Sequence, residues 1–190
     1  FRLFCHRQSE GFKNLWEAGN LLLQKTPADN FTATAKVTVT AKDEGQYGGL
    51  ICFGMDYSSI VLRRVGNEFK LQQISCKAAD KDKAEKITDI ATFKPTSVDK
   101  VSYQPSIHCD MYFRLKVEYI GGTTDEGENK HEAKVTFFYS QDGKKFKPCG
   151  EPLTMRQGKW VGAKVGFCAA EPAGKKVRGW MDIDWFKITK

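Results

Sequence analysis

An Asp-Gly dipeptide lies between two apolar runs in the segment 133–146, AKVTFFYSQDGKKF. Gly accepts the positive φ angle that a tight turn requires, and Asp-Gly in this setting is one of the strongest short-range signals for a β-hairpin. The segment therefore predicts a strand, a turn at Asp142-Gly143, and a second strand that begins near Phe146.

Two other segments alternate strictly between apolar and other residues. The segment 111–120 reads MYFRLKVEYI, and the segment 31–40 reads FTATAKVTVT and is rich in β-branched residues. A period of two places alternate side chains on opposite faces of a strand, so that one face meets a core and the other meets solvent. Both segments are predicted to be strands of the same meander.

The rest of the chain shows more short strand patterns, separated by turn signals such as Gly66-Asn67, and no helical periodicity. Further strands are predicted at 2–5, 20–24, 50–55, 59–65, 68–76, 87–93, 160–169 and 178–189. Connections are predicted at 42–49, 94–109, 121–132 and 148–159, with a surface loop or one solvated helical turn at 77–86. About ten to twelve short strands with regular turns are typical of an all-β sandwich or barrel.

Length and charge limit the classes of partner. A chain of 190 residues fits one domain, 1–190. The net charge of +7 comes from lysines that are scattered among acids, and no nucleic-acid-binding motif occurs, so we expect no nucleic-acid partner. No apolar run approaches the roughly 18 residues of a membrane span. The chain shows no signal peptide and does not begin with Met, so we expect a processed protein or a piece of a longer one.

Six cysteines are present, and none forms a CxxC pair, so the spacing does not support a zinc site. Cys52 and Cys168 lie within apolar strand patterns and are predicted to be buried. Disulfide bonds among Cys76, Cys109 and Cys149 remain open, because spacing alone does not determine pairing.

No catalytic constellation emerges from the residue patterns. His108-Cys109-Asp110 is the nearest approach to a nucleophile with a base, but neighbours on a strand point to opposite faces. Glycosidases of the laminarinase-like sandwich class carry their acid pair on one strand as Glu-x-Asp-x-x-Glu, and the segment 181–186, MDIDWF, has no Glu. We predict no catalytic residue in this chain.

Metal ligation is not predicted either. The segment 80–84 fails the EF-hand pattern at its third ligand. Asp182 and Asp184 stand two apart on the last strand, and we expect each carboxylate to bond neighbouring backbone or an Arg. The sequence therefore predicts no cofactor and no metal.

Sugar binding requires aromatic faces beside hydrogen-bonding side chains. The aromatic candidates are Trp16, Tyr47, Tyr57, Tyr112, Phe138, Trp160 and Trp180. We expect most of them to be core residues and one or two to face a ligand. Tyr57, at a turn, and Arg63 and Tyr112, at strand positions flanked by apolar residues, are the predicted ligand-binding residues.

Six segments occur in an order that resembles a known family. They are 20–24 (NLLLQ), 31–37 (FTATAKV), 48–51 (GGLI), 113–117 (FRLKV), 137–143 (FFYSQDG) and 184–186 (DWF). From about Asn20 to the C-terminus the chain resembles the C-terminal concanavalin A-like sandwich of glycoside hydrolase family 43, the β-xylosidase and arabinofuranosidase group. The region before Asn20 departs from the family pattern, in which a Trp-rich lead-in is longer.

The resemblance implies two antiparallel sheets of jelly-roll topology. It also implies an accessory module, cut from a longer glycoside hydrolase, that follows a five-bladed catalytic propeller in the same polypeptide and packs on it. None of the propeller's acids is present here. A periplasmic or extracellular location is implied by the same resemblance.

We therefore expect a non-catalytic module that docks on a catalytic propeller, binds an oligosaccharide or polysaccharide, or does both. Two alternatives stay open at this point. One is a stand-alone concanavalin A-like glycosidase, against which the missing acid motif counts. The other is a protein-interaction sandwich without a sugar role, which a flat apolar patch would favour.

Overall fold

The chain folds into two packed β-sheets in the computed structural model, which describes residues 1–100, 105–121, 132–155, 162–176 and 178–190. Within these residues each sheet has seven strands. Among the described strands, all pairings are antiparallel except one short parallel contact at the N-terminus. No helix within the described ranges is long and apolar enough to cross a membrane. The predicted all-β, two-sheet sandwich of concanavalin A-like jelly-roll type is confirmed.

Sheet I contains the two longest strands at its centre. Its strands are β1 (Arg2–Phe4), β4 (Phe31–Ala41), β9 (Ser97–Asp99), β10 (Ser106–Tyr119), β11 (Ala133–Ser140), β12 (Lys147–Met155) and β14 (Trp180–Thr189). They lie in the order β1-β14-β4-β10-β11-β12, and β9 pairs with the start of β10.

Sheet II forms the opposite layer. Its strands are β2 (His6–Arg7), β3 (Leu22–Lys25), β5 (Tyr47–Phe53), β6 (Tyr57–Val65), β7 (Glu68–Cys76), β8 (Lys86–Phe93) and β13 (Lys164–Glu171). They lie in the order β2-β13-β5-β6-β7-β8, and β3 pairs with β13. Two single-turn 3-10 helices, Leu15–Glu17 and Ala79–Lys81, lie outside the sheets.

The core between the sheets is filled by the alternate residues that the sequence pattern assigns to the inner face. On β4 the small residue Ala35 stands opposite Phe113 of β10, and Ala33 stands opposite Leu115, so large side chains fit over small ones. Each fully buried Leu or Phe contributes about 1.5 to 3 kcal/mol. This layer fixes which side chains of sheet I face outward.

A second apolar layer covers the outer face of sheet II. The 3-10 turn at Leu15–Glu17 inserts Leu15 against Tyr47, Ile51 and Tyr57, and all four side chains are fully buried. Because both faces of sheet II are covered, the first six residues of β5 and of β6 are buried in succession instead of alternately. The segment between β2 and Gly19 is therefore a packed cover.

Most strand predictions agree with the structure to within a few residues, and the strand at 68–76 matches in full. The hairpin at Asp142-Gly143 and the 3-10 turn in 77–86 are also observed. Three loop predictions were wrong in part. Strand β5 begins inside the predicted loop 42–49, and β9 and the start of β10 occupy the predicted connection 94–109.

The third correction concerns β12, which fills the start of the predicted loop 148–159 as strand Lys147–Met155. Two of its residues, Pro148 and Pro152, suppress the strand signal, but β12 is the edge strand of sheet I, where Pro is tolerated. Residues 156–161, with the rest of that loop and the first two residues of the strand predicted at 160–169, lie outside the described residues.

All six cysteines are buried and free. Cys52 and Cys168 are buried as predicted. Cys76, Cys109 and Cys149, for which pairing was left open, form no disulfide bond. Burial raises the pKa of the Cys149 thiol to about 12, so this group stays protonated near neutral pH.

Gly49 provides a test of how closely the strands of sheet II approach each other. A Cβ atom at this position would lie 1.9 Å from the carbonyl oxygen of Ile60 on the neighbouring strand. We expect Gly49→Ala to lower the free energy of unfolding by about 3 kcal/mol, because backbone atoms would have to move. Urea unfolding measures this change.

Gly19→Ala is the matched control, since the nearest atom to its added Cβ is His6 Cε1 at 3.5 Å. Its effect should stay within about 0.5 kcal/mol. Equal effects of the two substitutions would contradict the close approach at Gly49.

Candidate functional site

The outer face of sheet I carries a row of hydroxyl groups along its central strand. Thr32, Thr34, Thr38 and Thr40 alternate with buried apolar residues of β4 and point away from the core, with Lys36 in the middle of the row. A pleated strand forces this arrangement, because its inward positions are all taken by Ala, Val and Phe.

A groove of about 380 Å³ crosses this face. It is lined by Thr32, Thr34, Arg114, Gly143, Trp185, Lys187 and Thr189. Trp185 is the exposed aromatic side chain of the groove, with 42% of its surface accessible. The lining therefore combines an aromatic side chain, hydroxyl groups and two cationic side chains.

A β-bulge places Trp185 on this face. The register of β14 against β4 shifts between Ile183 and Trp185, so that Trp185 stands opposite Lys36 while Phe186 turns inward. One extra residue in a strand reverses the faces of the residues that follow it. Asp184, the residue at the shift, forms a 2.6 Å ion pair with Lys36.

Arg114 is held in place from two sides. Its Nε donates a hydrogen bond of 3.0 Å to Thr34 Oγ1. Its guanidinium carbon lies 3.5 Å from the centre of the Phe146 ring, a cation–π contact. These contacts orient the guanidinium within the groove before any ligand arrives, which lowers the entropic cost of binding.

Tyr112 stands beside the groove, half-buried, with its ring centre 6.1 Å from that of Trp185. The Asp-Gly turn determines its surroundings. A Cβ atom on Gly143 would lie 2.8 Å from Tyr112 Cε1, and the φ of Gly143 is +69°, so the turn residue must be glycine. The hairpin that stands out in the sequence thus forms the rim of the groove.

Asp142 stabilises this rim. Its Oδ1 accepts hydrogen bonds from the backbone N–H groups of Lys145 and Lys144 and from the Ser140 hydroxyl. These bonds lower the pKa of the Asp142 carboxyl to about 2. The turn therefore keeps its hydrogen-bonded form down to strongly acidic pH.

Tyr57 and Arg63 lie on sheet II, so the structure does not bring the three predicted ligand residues together. Tyr57 has no exposed surface, which corrects the expectation that a turn position presents its ring to a ligand. Its hydroxyl accepts a 2.8 Å hydrogen bond from Leu15 N and donates one of 2.5 Å to Glu85 Oε1. The N-terminal cover, which the sequence does not reveal, buries it.

Arg63 is half-buried, and its guanidinium carbon lies 4.3 Å from the centre of the Tyr47 ring. Its Nε has no hydrogen-bond partner among the described residues. Gln8 Nε2 donates a 3.3 Å hydrogen bond to the Tyr47 hydroxyl. Arg63 thus belongs to the contact between sheet II and its N-terminal cover.

The remaining polar pairs have structural roles. Asp182 accepts two hydrogen bonds from Arg2, of 2.7 and 3.0 Å, which confirms the expected Asp–Arg pairing. His108 contacts the hydroxyls of Thr40 and Ser106, while Cys109 points into the core, so these neighbours do lie on opposite faces. Within the described ranges, no group of three His, Cys, Asp or Glu residues lies close enough to hold a metal ion.

Trp185 and Arg114 were missed among the predicted ligand residues. The sequence does contain a signal for them. The apolar residues of the last strand that face the core have odd numbers at first (Met181, Ile183) and even numbers afterwards (Phe186, Ile188). Such a change indicates a bulge and an outward Trp185. Trp160, another candidate, lies outside the described residues.

Residues 2–189 match the sequence profile of a protein family described as the "Beta xylosidase C-terminal Concanavalin A-like domain". The chain belongs to this family. The match includes the segment before Asn20, which corrects the expectation that this region departs from the family pattern. No curated protein sequence matches the chain.

Solved structures share the fold of this family member. A bifunctional GH43-CE protein of Bacteroides eggerthii has a TM-score of 0.69 at 20% identity, over 99% of this chain and 20% of that one. A xylan β-1,4-xylosidase from Bacillus halodurans C-125 has a TM-score of 0.66 at 12% identity, over 100% of this chain and 32% of that one.

A third structure is a GH43 glycoside hydrolase with an engineered active site, which displays both endo-xylanase and exo-arabinofuranosidase activity. Its TM-score is 0.69 at 18% identity, over 99% of this chain and 34% of that one. The domain thus spans between a fifth and a third of the length of these enzymes.

Burial raises the pKa of Glu85 above its ordinary value of 4.5, although Tyr57 and Arg63 partly oppose this. The folded state therefore binds the Glu85 proton more tightly than the unfolded chain does. The stability that this proton contributes is present below the unfolded pKa and is lost as pH rises through the folded one. Glu85→Gln has no charge to bury, so its stability relative to wild type should rise with pH.

Urea unfolding of both proteins at about pH 4 and about pH 7 measures this difference. Glu132→Gln is a control at a half-buried Glu that directly precedes strand β11 of sheet I. A stability difference between Glu85→Gln and wild type that is the same at both pH values would contradict the assignment.

Proposed function

We propose that this domain is a non-catalytic accessory module of a longer family 43 glycoside hydrolase, and that the groove on sheet I binds a neutral oligosaccharide or polysaccharide. The observation that carries the proposal is the exposed Trp185 beside the hydroxyls of Thr32 and Thr34 and the oriented guanidinium of Arg114. Membership of the family supports it, and one structurally similar enzyme is a xylan β-1,4-xylosidase.

Binding would proceed without bond cleavage. The apolar face of a sugar ring would stack on Trp185, while ring hydroxyls would exchange hydrogen bonds with the threonines, Arg114 and Lys187. The described lining of the groove contains no carboxylate, so it lacks the acid pair that glycoside hydrolysis requires. This weighs against the stand-alone glycosidase.

Trp185→Ala tests the sugar-binding proposal. We expect the isolated domain to bind xylan or arabinan fragments with millimolar affinity, and the substitution to weaken binding about tenfold, which corresponds to about 1.4 kcal/mol. Isothermal titration calorimetry measures both.

Phe4→Ala is the control, since Phe4 is an exposed aromatic residue of the same sheet that lies outside the groove. It should leave affinity unchanged. An absence of any response to these fragments at millimolar levels would remove the sugar-binding role and leave docking.

Docking on a catalytic domain is the second proposed role, and a neighbouring recess that shares Trp185 with the groove favours it. An apolar recess of about 440 Å³ opens between the two sheets, where β3 and β13 face β14. Leu22, with 40% of its surface exposed, and Trp185 contribute to it. Because the domain spans only part of the similar enzymes, we propose a catalytic propeller of the same polypeptide as the occupant.

Leu22→Asp in the full-length enzyme tests the docking role. A charge in the recess should weaken the contact and separate the thermal unfolding of the two domains, as differential scanning calorimetry would show. Ile87→Asp is the control, at an exposed apolar residue of β8 that does not line the recess. A single unchanged transition in both variants would argue against docking there.

The proposal that this domain is an accessory module of a family 43 glycoside hydrolase includes a periplasmic or extracellular location.

A further inference from the structure

A second cleft, of about 770 Å³, opens at one end of the sandwich between the two sheets. Strands β6, β7 and β8 form one wall, and residues 151–153 of β12 form the other. The loop between β7 and β8 forms its rim. Its volume is within the usual range for small-molecule sites.

The inner wall of this cleft is polar at inward-facing strand positions, which elsewhere in the sandwich hold apolar core residues. Along β7, Phe69 and Leu71 enter the core, but the next two residues on the same face are Gln73 and Ser75. Ser58 of β6 stands opposite Ser75. Burying polar groups costs free energy unless they are satisfied, so this polar row requires hydrogen-bond partners or contact with solvent.

Gln73 is fixed at the back of the cleft. Its Nε2 donates hydrogen bonds of 2.9 Å to Ser58 Oγ and 2.7 Å to the Glu151 carbonyl, and its Oε1 accepts one of 2.8 Å from Glu151 N. Gly150 permits this bridge, because a Cβ there would lie 2.6 Å from Gln73 Oε1. The bridge joins the two sheets and gives the cleft a rigid floor.

Positive charge surrounds the opening. Lys77, Lys83 and Lys86 line the cleft, and Glu151 is the acidic residue of the described lining. None of the three lysines forms an ion pair with a described residue. Of the other acids near the opening, Glu85 accepts a hydrogen bond from Tyr57, Asp82 pairs with Lys13, and Asp56 accepts a hydrogen bond from Ala78 N. Asp80 lies on the same loop but does not line the cleft. The cleft is therefore suited to an anionic ligand.

We infer that this cleft binds a carboxylate-bearing sugar, a uronic acid unit of a saccharide. The lysines would bind the carboxylate, and Ser75, Thr88 and the backbone of Glu151 would bind the hydroxyls. Tyr57 is the aromatic residue of the described lining and has no exposed surface, so stacking of a neutral ring is not favoured here. The saccharide class rests on the proposed function, whereas the preference for an anion does not.

The test compares D-glucuronate with D-glucose, which differ in the carboxylate, and includes inorganic sulfate as a simple anion. Isothermal titration calorimetry on the whole chain should show millimolar binding of glucuronate that weakens with added salt, and no binding of glucose. The double variant Lys83→Gln/Lys86→Gln should bind glucuronate about tenfold more weakly. Lys81→Gln, an exposed lysine of the same loop outside the lining, should bind it as wild type does.

Three results would overturn the inference: no saturable binding of glucuronate, equal binding of glucose, or equal weakening by Lys81→Gln. Sulfate binding as tight as glucuronate binding would show a simple anion site and overturn the sugar assignment. This cleft and the groove on sheet I share no lining residue. A chain that binds neutral xylan fragments but not glucuronate would therefore contradict the inference for this cleft and leave the proposed function of the groove intact.

Discussion

Packing of the inner faces of β4 and β10 is the constraint on which the rest of the structure depends. Ala33 and Ala35 of β4 make room for Leu115 and Phe113, and this fit requires every second residue to be apolar. The intervening residues are then free to be polar, and they are mostly threonine on β4. A hydrophobic requirement on one side of the strand thus creates a hydroxyl-rich surface on the other.

The two sheets differ in what covers their outer faces. Sheet II is covered by the N-terminal segment, which buries Leu15 among Tyr47 and Tyr57, whereas Thr32, Thr34 and Thr38 on the outer face of sheet I stay partly exposed. An aromatic residue on sheet II therefore contributes to stability, while Trp185 on sheet I presents its indole to solvent. The same fold uses similar residue types for packing on one sheet and for a surface groove on the other.

Local patterns predicted the sandwich because its strands alternate and its turns carry glycine. They failed where contacts between residues distant in sequence determine burial or strand pairing. Burial of Tyr57 depends on Leu15 and Glu85, which are distant in sequence, and β12 is a strand although Pro148 and Pro152 weaken its signal. Of the three predicted ligand residues, Tyr112 lies beside the groove on sheet I. The bulge that exposes Trp185 is visible in the sequence only as a switch of the apolar residues from odd to even positions along the last strand.

The assignment of sugar binding to sheet I is tested most directly by NMR titration of the isolated domain with a xylo-oligosaccharide, observing the tryptophan indole N–H signals. The account predicts that the Trp185 signal shifts in a saturable way. Trp16, whose indole nitrogen donates to the Gly54 carbonyl, and Trp180, whose indole donates to Asp182, should not respond. Saturable shifts at Trp16 with none at Trp185 would place the sugar on sheet II and contradict the account.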